Sequence, residues 1–366
     1  MRRYKYLRES QTRSIETVAF SLISLAILTQ LADAHTQEKL SNVQFSVVAK
    51  IGIQEAKNKD EEPYQLASIR SIDCDTAGNL YVLDHKDVCV KVFDQSGRFM
   101  RRMFKGGQGP EELSNPYRLI LNRFVNRLFV VQDHGFQMKE FETTGAFCKS
   151  YGLPEQIFCD ARFMDENRLL YISRNQKREA TLKIFNIKTL KVEKEFAVIN
   201  IPEMSQALQK LLISNDVLWT CPGDKMALKG YDLKSGNERH SLRIPEKYRA
   251  SELIKGSNWQ AVRIYNFGQA FMIDAQLFIL VIKQDFPPPR TDWPTEPKKR
   301  LIDLYCLENN DLHKILGFPK TEFFPDYHTT WRNRMIISSS GYDLFPQIWI
   351  LQVQVQKKAE KREGER

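Results

Sequence analysis

Long apolar runs, clustered cysteines and known catalytic signatures are all scarce in this sequence of 366 residues. An apolar run near the N-terminus, Val18 to Leu28, is short for a membrane-spanning helix. No GxSxG elbow, HExxH motif, EF-hand loop or dinucleotide-binding fingerprint occurs. Apolar residues rarely follow helical spacing, and only Pro202 to Leu212 is a fair helix candidate. The sequence therefore predicts no cofactor and no metal site, and it favours a protein built from β-strands.

The cysteines are spread along the chain without the CxxC spacing of zinc or redox sites. They are Cys74, Cys89, Cys148, Cys159, Cys221 and Cys306. Most fall within apolar strand patterns, where a free cysteine packs like a small apolar side chain. Cys148 and Cys159 are the closest pair, and an oxidising compartment could join them in a disulfide. The disulfide status of this pair stays open.

The N-terminus has the pattern of an export signal. Basic residues from Arg2 to Arg13 precede the apolar run, and Ala32-Asp33-Ala34 has the small-x-small form of a signal-peptidase site. We expect residues 1–34 to be a signal peptide cleaved after Ala34, which would make the protein periplasmic or secreted. An uncleaved N-terminal anchor is the alternative, because the basic region is long. No later segment is apolar for long enough to span a membrane after signal removal.

The formal net charge of +9 favours anionic partners without naming one. Residues 357–366 are rich in charge and predict a solvated, disordered tail. The tryptophans, including Trp219, Trp331 and Trp349, fall in strand patterns and are expected to pack in the core. Export and the absence of an aromatic stacking platform argue against a nucleic-acid partner.

The stretch from Gly78 to Leu113 contains a unit that recurs along the chain. It combines an apolar strand, GNLYVLD, with an alternating strand, VCVKVFD, a tight QSG turn and a further strand, RFMRRMF. The turns are too short for crossover helices, so these strands must pair antiparallel as a meander. A fourth strand precedes them at Ser68 to Asp75.

The second strand of this unit has six copies. They begin at Asn79, Asn126, Asn167, Asp216, Ala275 and Pro346. The first intervals are 47, 41 and 49 residues, near the period of about 40–45 typical of propeller blades. Later intervals are longer, and the proline-rich stretch Phe286 to Lys299 predicts an inserted surface loop. The repeat therefore predicts an all-β six-bladed β-propeller of four-stranded antiparallel blades.

Closure of the predicted ring depends on the two ends of the repeat region. The last copy lacks a clear third and fourth strand, whereas Val43 to Ile53 is a β pattern without a partner. A blade completed by N- and C-terminal strands would close the ring and leave no open edge. We therefore expect one propeller domain over residues 43–356.

The pattern GNLYVLD…VKVFDQSGRF…FKGGQGPEEL resembles NHL-type six-bladed propellers, and most closely the bacterial exported proteins of largely unknown function. The similarity is strong in the first unit, fair in the next two and mainly hydrophobic afterwards. It implies the fold and an exported setting, but little about function.

Basic residues recur where each innermost strand is predicted to begin. These are Arg70, Arg118, Arg162, Lys210, Arg263 and Arg334. If the alignment holds, they ring one mouth of the axial channel and suit a carboxylate, sulfate, phosphate or acidic peptide. Solvated side chains, or pairs with Asp73, Asp165 and other acids, are the structural alternative.

Two other features lie on the same predicted face. Gly106, Gly107 and Gly109 belong to a GGQGPEE turn that could hold an anion with backbone N–H groups, or could serve only as a tight connection. The pairs Asp84-His85 and Asp133-His134 follow two second strands and are weak catalytic or metal candidates. Solvated turns are the alternative for both pairs.

These features lead to two hypotheses. The first is an exported, non-enzymatic binding module for an anionic small molecule or an extracellular or periplasmic protein. The second is a lyase- or lactonase-type enzyme that uses a metal or the His–Asp pairs at the channel mouth.

Overall fold

The computed structural model describes residues 43–174, 179–200, 211–214, 217–220, 227–243, 252–255, 260–273, 276–286, 299–308, 311–317, 325–339 and 345–355. The predicted signal peptide, charged tail, Lys210 and most of the helix candidate Pro202 to Leu212 lie outside these residues. Residues Phe45–Val353 form one compact unit, which contains the six blades.

Within the described residues, strands account for nearly all regular structure. β1 spans Val43–Ile51, and the next four are β2 (Ile69–Cys74), β3 (Leu80–Asp84), β4 (Cys89–Phe93) and β5 (Phe99–Met103). Two short strands, β6 (Lys105–Gly106) and β7 (Glu112–Leu113), precede β8 (Arg118–Asn122), β9 (Arg127–Gln132), β10 (Gln137–Glu142) and β11 (Phe147–Gly152). Three-residue 3-10 helices occur at Glu62–Tyr64 and Asp133–Gly135.

The second half of the chain continues the same pattern. It contains β12 (Ile157–Phe163), β13 (Arg168–Arg174), β14 (Glu179–Asn186), β15 (Lys191–Asn200), β16 (Leu211–Ser214), β17 (Val217–Thr220), β18 (Ala227–Asp232) and β19 (Glu238–Arg243). It then contains β20 (Glu252–Lys255), β21 (Gln260–Ile273), β22 (Gln276–Phe286), β23 (Lys299–Glu308), β24 (Asp311–Gly317), β25 (Pro325–Trp331), β26 (Arg334–Ser339) and β27 (Gln347–Val355).

These strands form six large antiparallel sheets in the described part of the chain. Blades 1 to 4 are β2–β5, β8–β11, β12–β15 and β16–β19, blade 5 is β20–β24, and blade 6 has the order β1-β27-β26-β25. The innermost strands contact one another in the order β25, β2, β8, β12, β16 and β21, and β21 contacts β25 again. The predicted six-bladed ring, closed by N- and C-terminal strands, is confirmed.

Side-chain burial follows from the stacking of blade on blade. The central strands β3 and β4 are buried at every position, because a neighbouring blade covers each face of the sheet. Leu80 and Val82 pack toward blade 6, whereas Tyr81 and Leu83 pack toward blade 2. The period-two alternation that the sequence shows is therefore a division between two interblade cores.

Two details differ from the sequence prediction. Blade 5 has five strands rather than four, because β20 pairs with an extension of β21 at Gln260–Arg263. In blade 6, the copy at Pro346 is the third strand, β27, and β26 is the second. Both strands are apolar and similar in length, so the pattern alone could not order them. None of the described residues forms a helix that is apolar and long enough to cross a membrane.

Candidate functional site

The innermost strands define two faces of the propeller. We call the face where they begin the upstream face, and the face where they end the downstream face. Arg70 lies near the upstream end of β2, is exposed, and has no hydrogen-bond or ion-pair partner among the described residues. Arg118 also lies at an upstream strand end, but it is 9% exposed and donates from Nη1 to Oδ1 of buried Asp160 in blade 3.

Arg162 lies at the other end of its strand. Arg162 pairs with Leu170 of β13, just as Asp73, near the downstream end of β2, pairs with Tyr81 of β3. Arg162 therefore belongs to the downstream half of β12. Irregular pairing between Ile157 and Ala161 displaces it from the register that the sequence suggests. A β-bulge adds a residue without changing the apolar pattern around it, which explains the wrong alignment.

The remaining described bases, Arg263 and Arg334, do not complete a ring. Arg263 pairs with Asp285 of β22. The position in β21 that corresponds to Ile69 of blade 1 is Phe267, and Arg263 precedes it by four residues in the chain. Arg334 lies on β26, the second strand, and donates from Nη1 to the carbonyl oxygen of Gln95 at 2.5 Å. The expectation that the basic residues converge on one mouth is therefore wrong.

The glycine turn binds an anion of its own chain. Oε2 of Glu112 accepts a hydrogen bond of 2.8 Å from the N–H of Gly109, and Oε1 lies 3.2 Å from Nζ of Lys105. These donors lower the pKa of Glu112, the Gly109 N–H most strongly. A Cβ at Gly107, where φ is +156°, would lie 2.0 Å from Oε2. Gly107 and Gly109 thus enclose Glu112, whereas Gly106 lies against Val88, which supports the structural interpretation of the loop.

The Asp–His pairs are engaged in local structure. Asp84 is fully buried and accepts the N–H groups of Ala67 and Ser68 at 2.9 Å each. His85 Nδ1 lies 3.0 Å from the carbonyl oxygen of Pro116. Asp133 and His134 form the 3-10 turn after β9 with positive φ angles of 51° and 58°. Among the described residues, no group of three His, Cys, Asp or Glu side chains is placed to hold a metal ion.

A cavity of about 840 Å³ opens on the downstream face. It lies at the ends of the innermost strands β2, β8 and β12, with Lys234 of blade 4 and Thr330 of blade 6 on its rim. Five basic side chains and two acidic ones line it: Arg123, Arg162, Arg168, Lys194 and Lys234 with Asp73 and Glu193. The volume falls within the roughly 300–1,000 Å³ typical of small-molecule sites.

Asp160 lies behind the cavity wall, next to the lining residue Arg162. Besides Arg118, its Oδ2 accepts the N–H of Leu211 in blade 4 at 2.8 Å. Arg162 Nε lies 3.7 Å from the same Oδ2, beyond hydrogen-bond distance, and has no hydrogen-bond partner. Two guanidinium groups thus share one carboxylate, and the wall retains positive charge.

Asp73 plays a similar part between blades 1, 2 and 6. Its carboxylate accepts three hydrogen bonds, from the Leu121 N–H at 3.0 Å, from Arg123 Nη2 at 2.8 Å and from Thr329 Oγ1 at 3.0 Å. Burial opposes the charge of Arg123, but the charge and hydrogen bond of Asp73, together with neighbouring groups such as Asp75, raise the pKa of the guanidinium. Arg123 is therefore a balanced charge, unlike Arg162.

A repeated lysine was missed by the sequence analysis although its signal is plain. The third strands read VKVF, MKEF, LKIF and LKGY, with Lys91, Lys139, Lys183 and Lys229 at equivalent positions. Lys91 Nζ donates to the carbonyl oxygen of Gln65 at 2.7 Å, and Lys139 Nζ donates to that of Glu112 at 2.7 Å. Burial lowers the pKa of Lys139. Lys91 and Lys139 thus hold in place the segments that precede β2 and β8, the innermost strands of blades 1 and 2.

The cysteines carry no site in the described residues. Cys148 is exposed with a free thiol, so the considered bridge to Cys159 is not formed. Cys74, Cys89 and Cys306 are buried and free, as expected for side chains in apolar strand patterns.

Six blades closed around an axial channel define the class of this protein as a six-bladed β-propeller. A family model described as a 6-bladed beta-propeller, DUF5128, matches residues 60–217, which confirms the predicted resemblance to six-bladed propellers. No curated protein sequence matches the chain.

Solved structures show the same fold at low sequence identity. A member of the duf4221 family from Bacteroides vulgatus has a TM-score of 0.57 at 12% identity, covering 86% of this chain and 99% of that chain. The WD40 repeats of RRP9 give 0.52 at 9% identity, with 86% and 98% covered. A protein of Bacteroides fragilis described as a candidate exported protein gives 0.50 at 9%, with 87% and 96% covered.

Proposed function

We propose that this protein is an exported, non-enzymatic propeller that binds an anionic small molecule in the downstream cavity. The observation that carries this proposal is the Arg162 guanidinium, which lines the cavity while Asp160 is already occupied by Arg118 and Leu211. A partly buried guanidinium with free donors favours a carboxylate or another oxyanion. An extracellular protein partner with an acidic group is the alternative ligand.

The enzymatic alternative receives no support from the described residues. Asp84 is enclosed by backbone donors, and His85 faces a backbone carbonyl on the upstream side. None of the four Asp–His residues lines the downstream cavity.

Titration calorimetry with sodium acetate and sodium sulfate tests the binding proposal. We expect saturable one-to-one binding to the wild type, at least tenfold weaker in Arg162→Gln, because the cavity wall loses its excess charge. Arg98→Gln is the matched control, since Arg98 is 82% exposed in the turn before β5 and should not affect binding. Absence of saturable binding, or equal binding by Arg162→Gln, would overturn the proposal.

Export is part of the same proposal and rests on the N-terminal pattern. Expression in a Gram-negative host, followed by fractionation and mass measurement, should give a periplasmic protein that begins at His35. An intact N-terminus in the membrane fraction would instead support the anchor alternative.

A further inference from the structure

The downstream cavity combines charged side chains with an exposed aromatic ring. Phe124, in the turn after β8, lines the cavity and is 58% exposed. The deeper lining includes Ile120, Phe163 and Ile184, each less than 9% exposed. The exposed Phe124 ring offers a flat apolar surface against which a ligand in the cavity can stack.

The Phe124 backbone is held in place by its neighbours. Its N–H donates to Asn122 Oδ1 at 3.1 Å, and fully buried Asn122 donates from Nδ2 to the Glu166 carbonyl oxygen at 2.9 Å. The turn that carries Phe124 is thus tied to the β12–β13 turn of blade 3. No aromatic ring of the described residues stacks on Phe124 within the protein.

We propose that the ligand of this cavity is an amphipathic anion, with an oxyanion group at Arg162 and an aromatic or other flat apolar body against Phe124. The inference rests on the proposed function and narrows it to a class of compounds. Small inorganic anions would leave the Phe124 surface uncovered, whereas neutral apolar compounds would leave the Arg162 charge without a partner.

Three probes separate these requirements in titration calorimetry: acetate, 2-naphthoate and the neutral analogue 2-naphthylmethanol. We expect 2-naphthoate to bind about tenfold or more tightly than acetate, as aromatic stacking and apolar burial add to the charge interaction. We also expect 2-naphthylmethanol to bind at least tenfold more weakly than 2-naphthoate.

Two variants test whether Phe124 contacts the apolar body and Arg162 contacts the oxyanion group. Phe124→Ala should weaken 2-naphthoate about fivefold to tenfold and leave acetate unchanged, whereas Arg162→Gln should weaken both anions. Phe136→Ala is the matched control, because Phe136 is 52% exposed in blade 2 but lies in the upstream β9–β10 loop. It should change neither affinity.

The outcomes distinguish this inference from the proposed function. Equal affinity for acetate and 2-naphthoate, or no effect of Phe124→Ala, would overturn the amphipathic ligand while leaving anion binding intact. Equal binding of 2-naphthoate and 2-naphthylmethanol would show an uncharged apolar site and overturn both ideas. If neither acetate nor 2-naphthoate binds, the proposed function itself is overturned.

Discussion

Leu211 donates its backbone N–H to Oδ2 of Asp160 at 2.8 Å, which joins the innermost strand of blade 4 to that of blade 3. The other carboxylate oxygen holds Arg118 of blade 2, so one buried side chain connects three consecutive blades. Asp73 connects blades 1, 2 and 6 through Leu121, Arg123 and Thr329. Two carboxylates of the innermost strands, buried Asp160 and half-buried Asp73, therefore join five of the six blades to their neighbours.

The first prediction concerns Asp160. Replacement by Ala leaves the buried Arg118 guanidinium and the Leu211 N–H without their acceptor, and should cost about 3–5 kcal/mol in urea unfolding. Asp160→Asn keeps one acceptor oxygen and should cost less. Glu238→Ala is the control, because its pair with Lys229 is partly exposed and should contribute below about 1 kcal/mol. Equal losses for Asp160→Ala and Glu238→Ala would contradict this role.

The second prediction tests ring closure at Gly52, which follows β1 with a φ of +118°. A Cβ there would lie 2.4 Å from the Pro346 carbonyl oxygen and 3.0 Å from Gln347 Cα, at the start of β27. Gly52→Ala should therefore destabilise the protein by about 1–3 kcal/mol from backbone strain alone. Gly152→Ala, with open space around its Cβ, should change the free energy of unfolding by less than about 0.5 kcal/mol. A neutral Gly52→Ala would argue against this closure geometry.

Much of the fold was predictable because the blade repeat is carried by apolar side chains. Strand pairs such as β3 and β4 show the same alternation in several copies, and burial between blades enforces it. The functional positions were not predictable to the same degree. Register irregularities near Arg70 and before Arg162 changed which strand positions are equivalent. The apolar pattern tolerates such bulges, so it does not report them.

The cavity was missed for a different reason. Arg123 and Phe124 lie in the turn after β8, and neither residue type recurs at that place in the next blade, where Met164 and Asp165 follow the innermost strand. A site built from residues that differ between blades leaves no periodic signal. Only the packing of the blades brings these turns together with Lys234 and Thr330.

The third prediction concerns Lys91, which is 2% exposed and lies 3.3 Å from the fully buried Asp84 and 3.1 Å from Asp87. Lys91→Met leaves the Asp84 charge buried without its cation and should cost about 3–5 kcal/mol in urea unfolding. Adding Asp84→Asn should make the double variant less destabilised than the sum of the single variants. Lys229→Met, in the same position of blade 4 but partly exposed, should cost less than about 1 kcal/mol. Additive effects of Lys91→Met and Asp84→Asn would exclude a coupled pair.

The fourth prediction is the pH response of the glycine turn. Hydrogen bonds from Gly109 and Lys105 lower the pKa of Glu112 below its ordinary value of 4.5. The folded state therefore favours the ionised form, so this contribution is complete above pH 4.5 and is lost as pH falls through the lower folded-state pKa. The amide signal of Gly109, followed by NMR between about pH 2 and 6, should titrate with a midpoint below 4.5.

Two variants identify the group that titrates. Glu112→Gln should remove the Gly109 step, because no carboxylate remains beside its N–H. Glu111→Gln, one residue earlier in the same turn, should leave the step unchanged. A midpoint at or above 4.5, or a step that persists in Glu112→Gln, would mean that the Glu112 carboxylate does not occupy the glycine turn.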